Sequence, residues 1–195
     1  MIEFKKMCVK YDEQVVINDL SFTLADGKFY GISGQSGVGK TTLINTVAGI
    51  VKPFGGEIIS THSRLSYIFQ DARLFPWLTA IQNVECVCKD KERAAYYLNL
   101  LLPDNADKYP HELSGGMKQR VSIARALAYD APLMLLDEPF KGLDAETRQS
   151  TASIVFEHLN GRTAIIISHD DNDFYCCDEI YKMENADKTT LLRIK

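Results

Sequence analysis

The stretch Gly34-Gln35-Ser36-Gly37-Val38-Gly39-Lys40-Thr41 sets glycines, a lysine and a hydroxyl side chain at the spacing G-x-x-x-x-G-K-[ST]. That spacing suits a loop that holds phosphates. A triphosphate carries dense negative charge. Backbone N–H groups of the loop answer it, and the glycines let the main chain come close. A helix starting at Lys40 adds its positive end, equivalent to about half an elementary charge. Lys40 is placed to reach the β- and γ-phosphates, and the Thr41 hydroxyl to ligate Mg²⁺. Thr42 completes the nucleotide-binding stretch.

A second acidic element lies downstream. Leu133-Met134-Leu135-Leu136 reads as a buried strand, and it ends in Asp137-Glu138 before Pro139. In a phosphate-loop protein, an Asp at such a strand end holds Mg²⁺ directly or through water. Glu138, one residue on, can orient or deprotonate the attacking water. General-base help of that kind is worth ~10²- to 10⁴-fold in rate. Taken alone, two acids before a proline also fit a solvated strand end; the upstream loop gives them chemistry. A third element is Ser114-Gly115-Gly116. Ser114 is a good helix N-cap, and the two glycines leave first-turn N–H groups open. It is a second helix start ready for an anion.

The elements around these residues predict an α/β fold. Ile2–Tyr11, Val15–Leu24 and Lys28–Ser33 are rich in β-branched, aromatic and apolar residues and read as strands. Asp12-Glu13 and Ala25-Asp26-Gly27 read as turns. The helix from Lys40 carries Leu43, Ile44, Val47 and Ala48 on one face and stops at Gly49. Residues from about 72 to 128 are mostly helical in pattern, with helices over Lys91–Leu102 and Gly115–Tyr129. Asp144–Asn160 reads as a helix capped by Asp144, and Thr163–Ser168 as a second buried strand. Glu179–Met183 and Thr189–Ile194 form a hairpin around Asn185-Ala186-Asp187. Buried apolar strands alternating with helices imply a mostly parallel sheet. The expected architecture is one domain over 1–195. It has a phosphate-loop core, an N-terminal antiparallel β subdomain and an inserted α-helical subdomain over about 72–128.

Composition narrows the classes. A chain of 195 residues, 46% hydrophobic and 25% charged, buries a core without metal or disulfide staples. Acidic residues outnumber basic ones, 26 to 22, which argues against nucleic acid as the main partner. Cys8, Cys86, Cys88, Cys176 and Cys177 form no Cys-x-x-Cys pair and no zinc pattern, and they read as free thiols in a reducing compartment. The opening Met1-Ile2-Glu3-Phe4-Lys5-Lys6 has no signal-peptide character. No apolar run approaches the ~20 residues that span a bilayer. The expected location is therefore cytoplasmic, with membrane work requiring another chain.

Three further segments carry a family resemblance. Leu113-Ser114-Gly115-Gly116-Met117-Lys118-Gln119-Arg120 resembles the LSGGQ-type signature of ATP-binding cassette (ABC) nucleotide-binding domains. Gln70, in Tyr67-Ile68-Phe69-Gln70-Asp71, resembles their Q-loop glutamine, and Ser168-His169-Asp170 their H-loop. The order of the five elements is also the family's, over essentially the whole chain. The resemblance implies an ATPase using ATP and Mg²⁺. It implies a head-to-tail dimer in which the signature of one copy closes over the γ-phosphate held by the other. By the same resemblance Tyr11 stacks on adenine with Val16 beside it. Gln70 contacts Mg²⁺ or the attacking water, His169 contacts the γ-phosphate, and Asp144 communicates across the dimer while capping its helix. Two departures stand out. The D-loop reads Lys141-Gly142-Leu143-Asp144 where Ser-Ala-Leu-Asp is commoner, which puts the dimer contacts there in question. The chain ends soon after His169, which implies that no C-terminal regulatory module follows.

Leu74-Phe75-Pro76-Trp77-Leu78-Thr79-Ala80-Ile81-Gln82-Asn83-Val84 resembles the segment after the Q-loop in importers of nitrate, sulfonate and taurine. Pro110-His111-Glu112 and Met117 point the same way. The resemblance implies transmembrane permease partners at the inner face of the cell membrane and an extracytoplasmic solute-binding protein. Phe75, Trp77 and Leu78 are expected to form an apolar docking surface, or to serve as core of the helical subdomain. The cargo expected is a small anion or organic solute. The alternatives are an exporter or lipoprotein-release ATPase, or a soluble ABC ATPase outside transport.

Overall fold

The computed structural model describes residues 1–159 and 161–195. The opening residues form the expected hairpin, β1 (Ile2–Tyr11) with β2 (Gln14–Leu24). Strand β3 (Phe29–Ser33) leaves this hairpin for the centre of a second sheet. After α1 (Lys40–Val47), β4 (Gly55–Ser60) returns antiparallel to the free edge of β1, giving the order β2-β1-β4.

The second sheet has six strands. In chain order they are β3, β5 (Leu65–Ile68), β6 (Leu133–Asp137), β7 (Thr163–Ile167), β8 (Glu179–Asn185) and β9 (Thr189–Arg193). Their spatial order is β5-β6-β7-β3-β8-β9, and all pairs are parallel except β8 with β9. Strands β4 and β5 carry no expectation from sequence. Strand β4 is glycine-led and mostly exposed, and β5 spans only Leu65–Ile68, so neither has a usable period.

Every residue of β6 and β7 is buried, which is why both read as unbroken apolar runs. Alternate side chains point to opposite faces. Met134, Leu136, Ala164 and Ile166 pack into one core. Leu133, Leu135, Ile165 and Ile167 pack into another, with α1 and the antiparallel sheet.

Helices α2 (Ala80–Cys88), α3 (Lys91–Leu101), α4 (Gly115–Tyr129) and α5 (Ala145–His158) supply the first core. Their starts are fixed by side-chain caps. Thr79 forms a capping box with Gln82, and Asp90, Ser114 and Asp144 accept from Arg93, Met117 and Thr147 N–H groups. The helical block is looser than its pattern suggests, because residues 72–79 and 103–109 are turns and irregular chain. The expected helix end at Asn160 lies outside the described residues. Among the described residues, no helix is long and apolar enough to cross a membrane.

Candidate active site

The phosphate-loop residues stand between the C-terminal end of β3 and the start of α1. Gly34 has φ 143°, and a Cβ there would lie 2.7 Å from the Met183 carbonyl oxygen of neighbouring β8. Only glycine fits that approach. Lys40 folds back along the loop. Its Nζ donates to the carbonyls of Gly34 and Gln35 at 2.7 and 2.9 Å. Burial pulls its ammonium below the usual lysine range, against the pull of Glu138 and Asp137.

Val16, Ser36, Gly37, Gly39, Lys40, Thr41, Thr42, Gln70, Asp137, Glu138 and Ile167 line one cavity of about 340 Å³. Gln35 and Val38 belong to the same loop, where the Val38 N–H donates to the Gln35 carbonyl at 3.3 Å. Tyr11 is exposed and outside this lining, at the tip of the hairpin that also carries Val16.

The buried end of β6 faces α1. Thr41 Oγ1 donates to Asp137 Oδ1 at 3.3 Å. Burial pushes the Asp137 carboxyl up, the Thr41 hydrogen bond opposes this, and the Glu138 charge adds to it. Among the described residues no cluster of three or more His, Cys, Asp or Glu side chains could hold a metal. A hydroxyl and one carboxylate are hard oxygen donors. They suit Mg²⁺ completed by phosphate oxygens and water rather than zinc.

Glu138 departs from the strand with φ 48°, a left-handed conformation that costs a non-glycine residue about 1–3 kcal/mol. Two backbone bonds hold it, Glu138 N–H to the Ile167 carbonyl at 2.9 Å and Lys141 N–H to the Glu138 carbonyl at 3.1 Å. The carboxylate accepts from Nδ1 of His169, which lies 2.8 Å from Oε2 and 2.9 Å from Oε1. The histidine ring is otherwise open to solvent.

Ser114, Gly115 and Gly116 are elsewhere. They sit at the exposed start of α4, beside the D-loop, where a Cβ on Gly116 would lie 3.1 Å from Leu143. Gly115, Gly116, Lys141 and Gly142 line a second cavity of about 550 Å³, and Gln70 borders both. Asp144 caps α5 through the Thr147 N–H, which holds its carboxyl below the usual range. The structure thus brings together Lys40, Thr41, Asp137, Glu138, Gln70 and His169. It keeps the second helix start and the D-loop together at the neighbouring cavity.

Sequence reasoning missed several positions. Gln119 is buried on α4 and donates to the Pro139 carbonyl at 3.0 Å and the Phe69 carbonyl at 3.4 Å. It joins the residue after Glu138 to the residue before Gln70. Arg125 donates to the Ala72 and Arg73 carbonyls, both at 3.1 Å. Asn83, fully buried, ties the loop of Phe75–Thr79 to α2. A polar residue on the apolar face of a helix is the available signal for Gln119 and Asn83.

A parallel sheet, a phosphate loop opening a helix, and a buried Asp-Glu strand end define a phosphate-loop nucleoside triphosphatase. A model of the ABC transporter family matches residues 17–141. The chain belongs to that family and is an ATP-binding ATPase. The aliphatic sulfonates import ATP-binding protein SsuB of Bacillus thuringiensis is 39% identical over 184 residues, which is 86% of this chain and 73% of that protein. The nitrate import ATP-binding protein NrtC of Synechococcus elongatus is 37% identical over 195 residues, 89% of this chain and 30% of that longer protein. Among solved structures, the ATP-binding cassette MJ0796, dimeric in a post-hydrolysis state with ADP and Pi, superposes with a TM-score of 0.87. That pair is 28% identical, with 99% of each chain covered.

Proposed function

We propose that this chain energises an importer of a small anion or organic solute. It would act as a head-to-tail dimer of ATPase subunits docked on permease subunits at the inner face of the cell membrane, fed by an extracytoplasmic solute-binding protein. The observation that carries the ATPase mechanism is the single cavity lined by Lys40, Thr41, Gln70, Asp137 and Glu138. The dimer rests on the exposed start of α4 lying outside that cavity, and on the dimeric state of MJ0796. The importer reading rests on SsuB and NrtC, and on the exposed Phe75-Pro76-Trp77 segment.

In this reading the loop amides of Gly34–Thr41 bind the triphosphate, and Lys40 exchanges its carbonyl partners for β- and γ-phosphate oxygens. Tyr11 stacks on adenine with Val16 beside it. Thr41, Asp137 and Gln70, which line the same cavity, would hold Mg²⁺, and its charge would offset that of the phosphate oxygens. Glu138 orients the water and takes its proton. His169 fixes the Glu138 carboxylate and contacts the γ-phosphate. Ser114, Gly115 and Gly116 of a second copy close the site, and Asp144 relays closure across the dimer. Residues 72–128 act as the helical subdomain that moves the permease. Positioning and charge stabilisation supply most of the catalysis.

The test is ATP-driven uptake by the chain with its permease and binding protein in vesicles. Accumulation of an alkanesulfonate, nitrate or a related solute, lost without ATP, is the expected result. Outward movement of lipid or lipoprotein, or turnover indifferent to the permease, overturns the importer reading.

A further inference from the structure

The His169 loop is fastened from behind by α5. Arg148, in the first turn of α5, spreads its guanidinium over two carboxylates. Nε and Nη2 reach Asp173 Oδ1 at 3.0 and 2.7 Å, and Nη1 reaches Asp170 Oδ2 at 2.6 Å. Asp173 is 3% exposed. Its second oxygen accepts from the Ser168 hydroxyl at 2.6 Å, and Ser168 Oγ in turn accepts from the Asp170 N–H at 3.0 Å. Ser168 is itself fully buried. The residues on both sides of His169 therefore belong to one hydrogen-bonded unit in which Arg148 is the only cation among the described residues. The imidazole emerges from that unit onto Glu138. The helix that carries Arg148 is also the one Asp144 caps.

We infer that Arg148 is a positioning residue for the Glu138–His169 pair: its two-carboxylate fork sets the histidine loop and makes the imidazole's place depend on α5. This rests on the catalytic reading of Glu138 and His169. A planar fork satisfies two carboxylates at once, which a lysine ammonium does not reproduce. If the fork only glued the 3₁₀ turn of Asp171–Phe174 onto α5, its loss would lower stability without a specific effect on turnover.

The chain has four histidines, so imidazole resonances can be assigned by single substitutions. His158 lies at the other end of α5, against Tyr96, and serves as an internal control. In Arg148→Gln the His169 resonances should shift or broaden while His158 stays put. In the same protein kcat for ATP should fall roughly ten- to a hundredfold, the usual cost of misplacing a catalytic group by about 1 Å. KM should change less than about threefold, because the phosphate loop is untouched. Arg148→Lys should recover part of kcat, and Ser168→Ala should reproduce part of the loss. Unmoved His169 resonances, or normal kcat in Arg148→Gln beside an inactive His169→Ala, overturn the inference. Normal turnover of His169→Ala overturns instead the catalytic reading beneath it. A joint shift of His158 and His169 marks general loosening of α5 and also counts against the inference.

Discussion

His169, just past the end of β7, places its Nδ1 2.8 Å from Oε2 of Glu138, just past the end of neighbouring β6, so the last residue of the site in sequence orients this carboxylate. The contact depends on adjacent strands. Glu138 follows β6 and His169 follows β7, and the Glu138 N–H is bonded to Ile167 at the end of β7. A carboxylate held this way has its lone pairs aimed before any water arrives.

Glu138→Gln keeps the side-chain shape and removes the proton acceptor. Turnover should drop by ~10²- to 10⁴-fold. ATP affinity should hold, and ATP-loaded protein should sediment as a dimer. Phosphate release and velocity sedimentation on one preparation check both. Undiminished turnover would remove Glu138 as the base.

Lys40→Ala acts on a different step. The ammonium makes charged contacts of about 1.5–3 kcal/mol each, so its loss should weaken ATP binding roughly ten- to a hundredfold. Equilibrium titration with ATP is the measurement. Normal affinity would contradict the phosphate role of Lys40. Without nucleotide the carbonyls of Gly34 and Gln35 lose their donor, so the loop should also exchange amide hydrogens faster.

The strands and helices that carry these two residues were legible because their signals are local. The phosphate loop needs a spacing, β6 and β7 need unbroken apolar runs, and Ser114 and Asp144 cap through residues three positions away. What escaped depends on distance in sequence. Asp173 means nothing until β7 brings it to Arg148, and Gln119 looks like an ordinary helix residue until Phe69 and Pro139 close around it. Strand β4 forms because β1 offers it an edge, which nothing within Gly55–Ser60 announces. Tyr11 was legible as a strand aromatic, and its exposed place on the hairpin leaves its ring free for the adenine proposed there.

The adjacent thiols Cys176 and Cys177 should separate cleanly by reactivity. Cys176 is exposed, whereas Cys177 packs in the helix-side core against Phe174. Burial raises the Cys177 thiol to about 12. The thiolate is the nucleophile, so at pH 8 Cys177 is almost wholly protonated as well as shielded. A disulfide reagent on native protein should label Cys176 promptly and Cys177 only in denaturant. Raising the pH within the folded range should leave Cys177 unlabelled. Equal native rates would show that this part of the core opens readily.

Docking and packing can be separated in the segment after Gln70. Trp77 is 69% exposed and Phe75 41%, with ring centroids 5.5 Å apart, so the two rings form an outward apolar pair. Leu78 is half-buried. Trp77→Ala should therefore shift stability by no more than about 0.5 kcal/mol and leave basal ATPase intact. It should abolish the permease's influence on turnover. Asn83 works from below. Its Nδ2 donates to the carbonyls of Phe75, Leu78 and Thr79, and its Oδ1 accepts from the Phe75 N–H, all within 3.2 Å. Asn83→Ala removes the partner of the Phe75 N–H and the Leu78 carbonyl, while the Phe75 and Thr79 carbonyls keep the Leu78 and residue-83 N–H groups; a buried polar group left unpaired costs about 1–3 kcal/mol. It should lower the melting temperature and uncouple transport together. Coupling that survives Trp77→Ala, or an Asn83→Ala protein as stable as the parent, would mean that another surface receives the permease or that Asn83 does not hold this loop.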